Sequence, residues 1–129
     1  MKVVKNVCYG GFSLSIQALI RIMELKGKHI DKIVKYSNGQ EIDITNNPDK
    51  WESSTSFVIT ADGMTWGAYS FSDESERTDP ELIEAIEELG INSYGPYAQL
   101  KVVEIPDDIE WEIDDYDGIE TIEEAHRKW

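Results

Sequence analysis

A chain of 129 residues, 40% of them hydrophobic, is long enough for one domain with a modest core. Its 26 acidic residues against 12 basic ones give a formal net charge of −14, which excludes non-specific binding to nucleic acid or to an anionic membrane surface. The single cysteine, Cys8, excludes an intrachain disulfide framework and fits a reducing cytoplasm. No apolar run reaches the roughly 20 residues of a membrane span, and the N-terminus is too polar and short for a signal peptide.

In chain order, "KVVKNVCY" reads as a strand that is apolar at Val3, Val4, Val7 and Tyr9. Two glycines follow, and then "LSIQALIRIMELKG", which reads as a long N-terminal helix. Leu14, Ile16, Ala18, Leu19, Ile20, Ile22, Met23 and Leu25 cover most of its circumference, so it must be buried inside the domain or in a subunit contact. Gly27 is its natural stop. "DKIVKYSNGQEIDI" is a hairpin about Asn38-Gly39, and "STSFVITADGMTWGAYSFS" is another about Asp62-Gly63, both pairs suited to a turn with positive φ at its two central positions. "TNNPDKWESS" between them is a surface loop. In "SDESERTDPELIEAIEELG" a loop feeds a helix, with Asp79 as N-cap, Pro80 at the first helical position, Leu82, Ile83, Ile86 and Leu89 as the buried stripe, and Gly90 as the end. "AQLKVVEI" and "DIEWEID" are strands, the second with Ile109, Trp111 and Ile113 on one face. "YDGIETIEEAHRKW" reads as a last helix, because Asp117 and Glu120 have capping-box spacing. The sum is an α+β class: an antiparallel sheet built from hairpins, with a long N-terminal helix and two shorter helices, in a single domain over residues 1–129.

The strongly negative charge does not exclude a small phosphorylated ligand in a locally positive pocket. Arg21, Arg77 and Arg127 are the only arginines available to it. In "CYGGFSLS" a strand, a glycine pair and a helix start make an anion site in principle, since first-turn amides have no partner within the helix. Gly10 and Gly11 would let the backbone approach a ligand, Ser13 or Ser15 would cap the helix or donate to a phosphate, and Phe12 would stack or pack. A plain strand-to-helix turn explains the same residues. Arg77, just before the N-cap Asp79, would reach a ligand at that helix start or pair with its acidic neighbours. In "INSYGPYAQ", Asn92 offers the donor and acceptor that base recognition needs, and Tyr94 or Tyr97 can stack on a purine, although turn chemistry also accounts for Asn92 and Gly95. Cys8 has no base placed beside it, and "IDDYDGIETIEE" lacks the first ligand of a calcium loop, so neither a catalytic group, a metal nor a cofactor is expected.

"KNVCYGGFSLS", "DPELIEAIEELG", "LKVVEIPDDIEWEIDDYDGIE" and the closing "HRKW" together resemble a family of small phage-encoded proteins, among them phage anti-defence proteins that counter Thoeris. The likeness covers about half of the chain and leaves Lys26 to Phe71 without a familiar pattern. The chain has Ser13 where many relatives have glycine and Thr121 where many have tryptophan. The resemblance implies a non-enzymatic viral nucleotide-binding protein, a sponge acting in the cytoplasm of the infected bacterial host. It would sequester the cyclic ADP-ribose isomer made by TIR-domain enzymes, and possibly cyclic oligonucleotides, so that the host effector stays inactive. It also implies a homo-oligomer, a dimer or higher, with pockets between subunits. The residues expected to line the ligand site are Gly10, Gly11, Phe12, Ser13, Arg77, Asn92, Tyr94 and Arg127. Two other readings stay open: a hydrolase of such a signal, and an acidic regulatory protein that mimics DNA.

Overall fold

Three turns of one kind organise the strands. Asn38-Gly39, Asp62-Gly63 and Asp117-Gly118 each have positive φ at both positions, at 49° and 76°, 49° and 79°, and 52° and 91°. That geometry matches the right-handed twist of two paired strands, so each pair closes a tight hairpin. The computed structural model describes residues 1–51 and 55–124. Its elements are β1 (Lys2–Asn6), α1 (Ile16–Leu25), β2 (Ile30–Ser37), β3 (Gln40–Asp43), β4 (Phe57–Ala61), β5 (Met64–Trp66), α2 (Pro80–Leu89), β6 (Leu100–Glu104), β7 (Trp111–Tyr116) and β8 (Ile119–Glu124). They form a four-stranded sheet in the order β3-β2-β4-β5 and two two-stranded sheets, β1-β6 and β7-β8, with every pairing antiparallel.

The core follows from the apolar periodicity. β4 turns Phe57, Ile59 and Ala61 inward and leaves Val58 and Thr60 half-exposed, the period-two pattern of a one-sided strand. α1 buries Ile16, Ala18, Leu19, Ile22 and Met23 against that face, and α2 adds Leu82, Ala85 and Ile86. Val4 and Leu100 bring the β1-β6 ladder into the same cluster. Lys26, at the C-terminal end of α1, reaches the N-cap of α2, with Nζ 2.7 Å from Asp79 Oδ2. Burial opposes both charges. The mutual hydrogen bond and Coulomb attraction, joined by Glu81 at Lys26 and by the Leu82 amide at Asp79, together outweigh it, raising the lysine pKa and lowering the carboxyl pKa.

Several expectations need correction. The chain is mostly β-sheet, in three antiparallel sheets, and not an α+β fold on one sheet with a long N-terminal helix. That helix is 10 residues, equal in length to α2. It starts late because Ser15, not an earlier residue, accepts the Ala18 amide at 3.1 Å, while Leu14 forms a bridge with Tyr94. Its apolar circumference is satisfied within the chain, by the sheet on one side and by α2 on another, so it gives no motive for a subunit contact. The expected last helix is strand β8 over its described part, residues 119–124. Asp117 does not cap a helix: with φ at 52° it is the first central residue of a hairpin turn. Ile119, Thr121 and Ile122 then favour the extended chain, and Ile113 and Ile122 pair across the ladder.

Candidate functional site

Asn6 ends β1 with no exposed surface. Its Nδ2 donates to the carbonyls of Cys8 and Gly118, both at 2.6 Å, and its Oδ1 accepts from the Gln99 amide at 2.9 Å. One buried amide therefore holds three segments: the loop after β1, the entry to β6 and the turn between β7 and β8. Leaving such groups unpaired would cost about 1–3 kcal/mol each, so the arrangement is tightly specified.

Glycine lets those segments meet. A β-carbon on Gly10 would overlap the Cβ and carbonyl of Tyr97, and one on Gly95 would overlap the Ser13 side chain. On Gly118 it would sit 2.6 Å from the Gly11 nitrogen and closer still to the Tyr9 carbonyl. Gly11 has open space around it but a φ of +83°. The two adjacent glycines thus serve different needs, close approach at Gly10 and a left-handed backbone at Gly11. The Gly95 amide donates to the Ser13 carbonyl and the Ser15 amide to the Ser93 carbonyl, both at 3.0 Å, while Ser15 Oγ donates to the Asn92 carbonyl at 2.6 Å.

The junction gathers most of the sequence-derived site residues but turns several of them inward. Ser13 meets Gly95, Leu14 bridges to Tyr94 and Ser15 bonds to Asn92 and Ser93, while Gly10 packs against Tyr97 and Gly11 against Gly118. Phe12 is buried, and its ring lies under the Arg77 guanidinium, 3.9 Å from ring centroid to Cζ. Ser13 is buried against Gly95 and Pro96, and Tyr94 is half-buried. Asn92 is exposed, and its side chain makes no hydrogen bond among the described residues. The start of α1 is covered by residues 92–94, so its first turn is no open anion site. Arg127 lies outside the described residues.

Arg77 departs furthest from expectation. It is 2% exposed and uses all five of its N–H groups. Nη1 and Nη2 grip the two oxygens of Glu120 at 2.7 Å each, Nη1 also donates to the Val4 carbonyl at 3.2 Å, and Nε and Nη2 donate to the Ser72 carbonyl at 3.1 and 2.9 Å. The Arg77 carbonyl accepts from the Val4 amide at 3.0 Å, and Glu120 accepts from the Asn6 amide at 2.7 Å. The pair thereby occupies the free edge of β1 and ties β8 to it, the covering that an open strand edge needs. A phosphate could reach this guanidinium only by displacing Glu120.

The exposed part of the junction carries aromatic rings, with the carboxylates Asp115 and Asp117 beside one of them and two lysines on the neighbouring strands. Tyr9, Tyr97 and Tyr116, which lie on the three clamped segments, are 71%, 83% and 74% exposed. The strands that feed the first two loops carry Lys5 and Lys101, directly opposite each other in the β1-β6 register. Like charges in that relation repel, and neither lysine has a carboxylate partner among the described residues. By contrast Lys2, Arg21, Lys26, Lys32 and Arg77 are all ion-paired. Sequence reasoning missed Asn6, Glu120, Gly118 and the lysine pair. The Asp-Gly turn signal at 117–118 would have exposed Glu120 and Gly118; nothing in the sequence marks Asn6 or the register that opposes Lys5 to Lys101.

No protein-family model, curated protein or solved structure matches this chain. Among the described residues no helix is long and apolar enough to cross a membrane.

Proposed function

We propose that the protein captures a cyclic nucleotide immune signal, the cyclic ADP-ribose isomer made by TIR-domain enzymes, and withholds it from the host effector without cleaving it. The ligand class comes from the sequence resemblance to phage anti-defence proteins. The observation that carries a binding role is the loop junction, where Tyr9, Tyr97 and Tyr116 stand exposed on segments clamped by Asn6 and by close-packed glycines. Tyrosine is a large, amphipathic ring with little conformational entropy to lose, well suited to stacking on an adenine. Lys5 and Lys101, not Arg77, are the cations that this reading assigns to the pyrophosphate. The exposed Asn92 amide offers a donor and an acceptor for a base or ribose edge. The same reading places the protein in the cytoplasm of an infected bacterium, as a homo-oligomer whose second copy adds to the site.

Calorimetric titration of the cyclic ADP-ribose isomer tests this. Saturable binding is expected, weakened about tenfold or more when Lys5 and Lys101 are both replaced by glutamine, since charge-assisted bonds are worth about 1.5–3 kcal/mol each. Equal affinity in that variant would move the phosphate elsewhere, and absence of binding to the parent protein would overturn the reading.

A second reading rests on the β7-β8 hairpin, which exposes Glu112, Asp114, Asp115, Asp117 and Glu123. A row of carboxylates on a narrow ribbon is a surface for a basic nucleic-acid-binding partner. Displacement of DNA from such a partner, with no affinity for the nucleotide, would favour it.

A further inference from the structure

The segment that carries no familiar sequence pattern holds a second candidate site. A cavity of about 280 Å³ opens at the end of the β2-β3 ladder, lined by Lys35, Ser37, Ile42, Ile44, Asp49 and Lys50. We propose that it binds a small organic phosphate, a phosphate monoester carried on an apolar or flat body.

Lys35 carries the argument. Alternation along β2 puts it on the face of Ile33, which is buried in the core. In register it lies between Ile42 of β3 and Phe57 of β4, and Phe57 is itself buried. A half-buried lysine on the core side of a sheet is costly to desolvate and would ordinarily bring a carboxylate with it. Lys35 has no such partner among the described residues. Lys50 faces the same cavity from the 3₁₀ turn Pro48–Lys50 and is equally unpaired among the described residues.

The wall opposite the sheet is fixed in place. Trp51 follows the turn and donates Nε1–H to the Ile44 carbonyl at 2.8 Å, while Gln17 Nε2 of α1 donates to the Trp51 carbonyl at 2.7 Å. Thr45 locks the end of β3, accepting the Ile33 amide at 2.9 Å. The two ammonium groups therefore sit on separate anchored elements. Two cations from two walls suit a dianion, which selects phosphate over a carboxylate. Ser37 adds a hydroxyl donor, and Ile42 and Ile44 supply an apolar floor for the body of the ester. Asp49 disfavours a second phosphate and can accept a hydroxyl of the ligand.

Amide chemical-shift mapping of the whole protein with phenyl phosphate tests the proposal, with inorganic phosphate and phenol as comparators. Saturable shifts centred on residues 35–37, 42–44 and 48–51 are expected with phenyl phosphate, and weaker affinity with either comparator. Lys35→Gln and Lys50→Gln should each weaken phenyl phosphate about tenfold, with thermal melting verifying the fold. Lys50 lies on an exposed turn, so its replacement reports on the site even if Lys35→Gln is destabilised. No saturation by about 10 mM, a range that captures millimolar affinity, would overturn the proposal. So would equal binding of phenol or of inorganic phosphate, unchanged affinity in Lys50→Gln, or shifts confined to the Lys5–Lys101 ladder. The cavity belongs to the four-stranded sheet and the lysine pair to β1-β6, so either site can fail without the other.

Discussion

Replacing Glu120 by glutamine removes one charge and almost no volume, and the structure sets the size of the effect. The carboxylate accepts from Arg77 Nη1, Arg77 Nη2 and the Asn6 amide, each at 2.7 Å. Glutamine keeps one oxygen, enough for the Asn6 amide and one guanidinium N–H. Its NH2 group then points at the other guanidinium nitrogen, donor against donor. Arg77, 2% exposed, is left charged with no counter-charge and little water. Breaking one side of a buried pair typically costs about 3–5 kcal/mol, and retention of one oxygen argues for the lower end, about 3 kcal/mol. Urea unfolding at about pH 7 reads this directly: with a slope of about 1–3 kcal/mol/M, the midpoint should fall by roughly 1–3 M. Lys2→Gln, which removes the surface pair with Glu87, is the comparator and should barely move the midpoint. If Glu120→Gln shifted the midpoint no more than Lys2→Gln, Arg77 would not be a buried structural cation, and its release for a ligand would again be open.

Gly10→Ala should destabilise more than Gly11→Ala, by about 1–3 kcal/mol for the overlap with Tyr97 against about 1 kcal/mol for positive φ alone; denaturant midpoints that rank the other way would refute the packing account. Tyr9→Ala and Tyr97→Ala should each cost about 1–3 kcal/mol in nucleotide binding with unchanged melting temperature, because both rings are exposed; calorimetry paired with melting separates the two effects. Asp79→Asn preserves a capping side chain while removing the charge that Lys26 holds. Because the folded Asp79 carboxyl titrates below its ordinary value of about 4, its stabilisation is complete above that value and is lost as pH falls from there through the lower folded value. The melting-temperature gap between parent and Asp79→Asn should therefore be present at neutral pH and narrow as the solution is acidified below the ordinary aspartate value; a gap that does not narrow at all on acidification would contradict the ion pair.

Local signals are unambiguous where one residue type has one cause. Asp79-Pro80 set the start of α2, and Asn38-Gly39 and Asp62-Gly63 set two hairpins. The same Asp-Gly signal at 117–118 lost to an apparent capping box, although Glu120 is needed elsewhere, beneath Arg77. The start of α1 is not legible locally, because Leu14 is apolar in either state and only the pairing with Tyr94 takes it out of the helix. The roles of Arg77 and Phe12 could not be read locally. Arginine beside acidic neighbours reads as surface or ligand-facing, and only the 43-residue separation closed by the fold turns it into a buried clamp. The glycine pair was legible as a tight approach, but its target, Tyr97 and the Asp-Gly turn, lies near the far end of the chain.

Retention and release of the ligand test the central claim most directly. The protein is incubated with the cyclic ADP-ribose isomer, separated from free nucleotide, heat-denatured, and the released material is identified by chromatography and mass. Capture without cleavage predicts the intact isomer, recovered in fixed proportion to protein and retained less by the Lys5 and Lys101 double glutamine variant. A linearised or hydrolysed product would mean an enzyme, and recovery of no nucleotide would contradict the binding function itself.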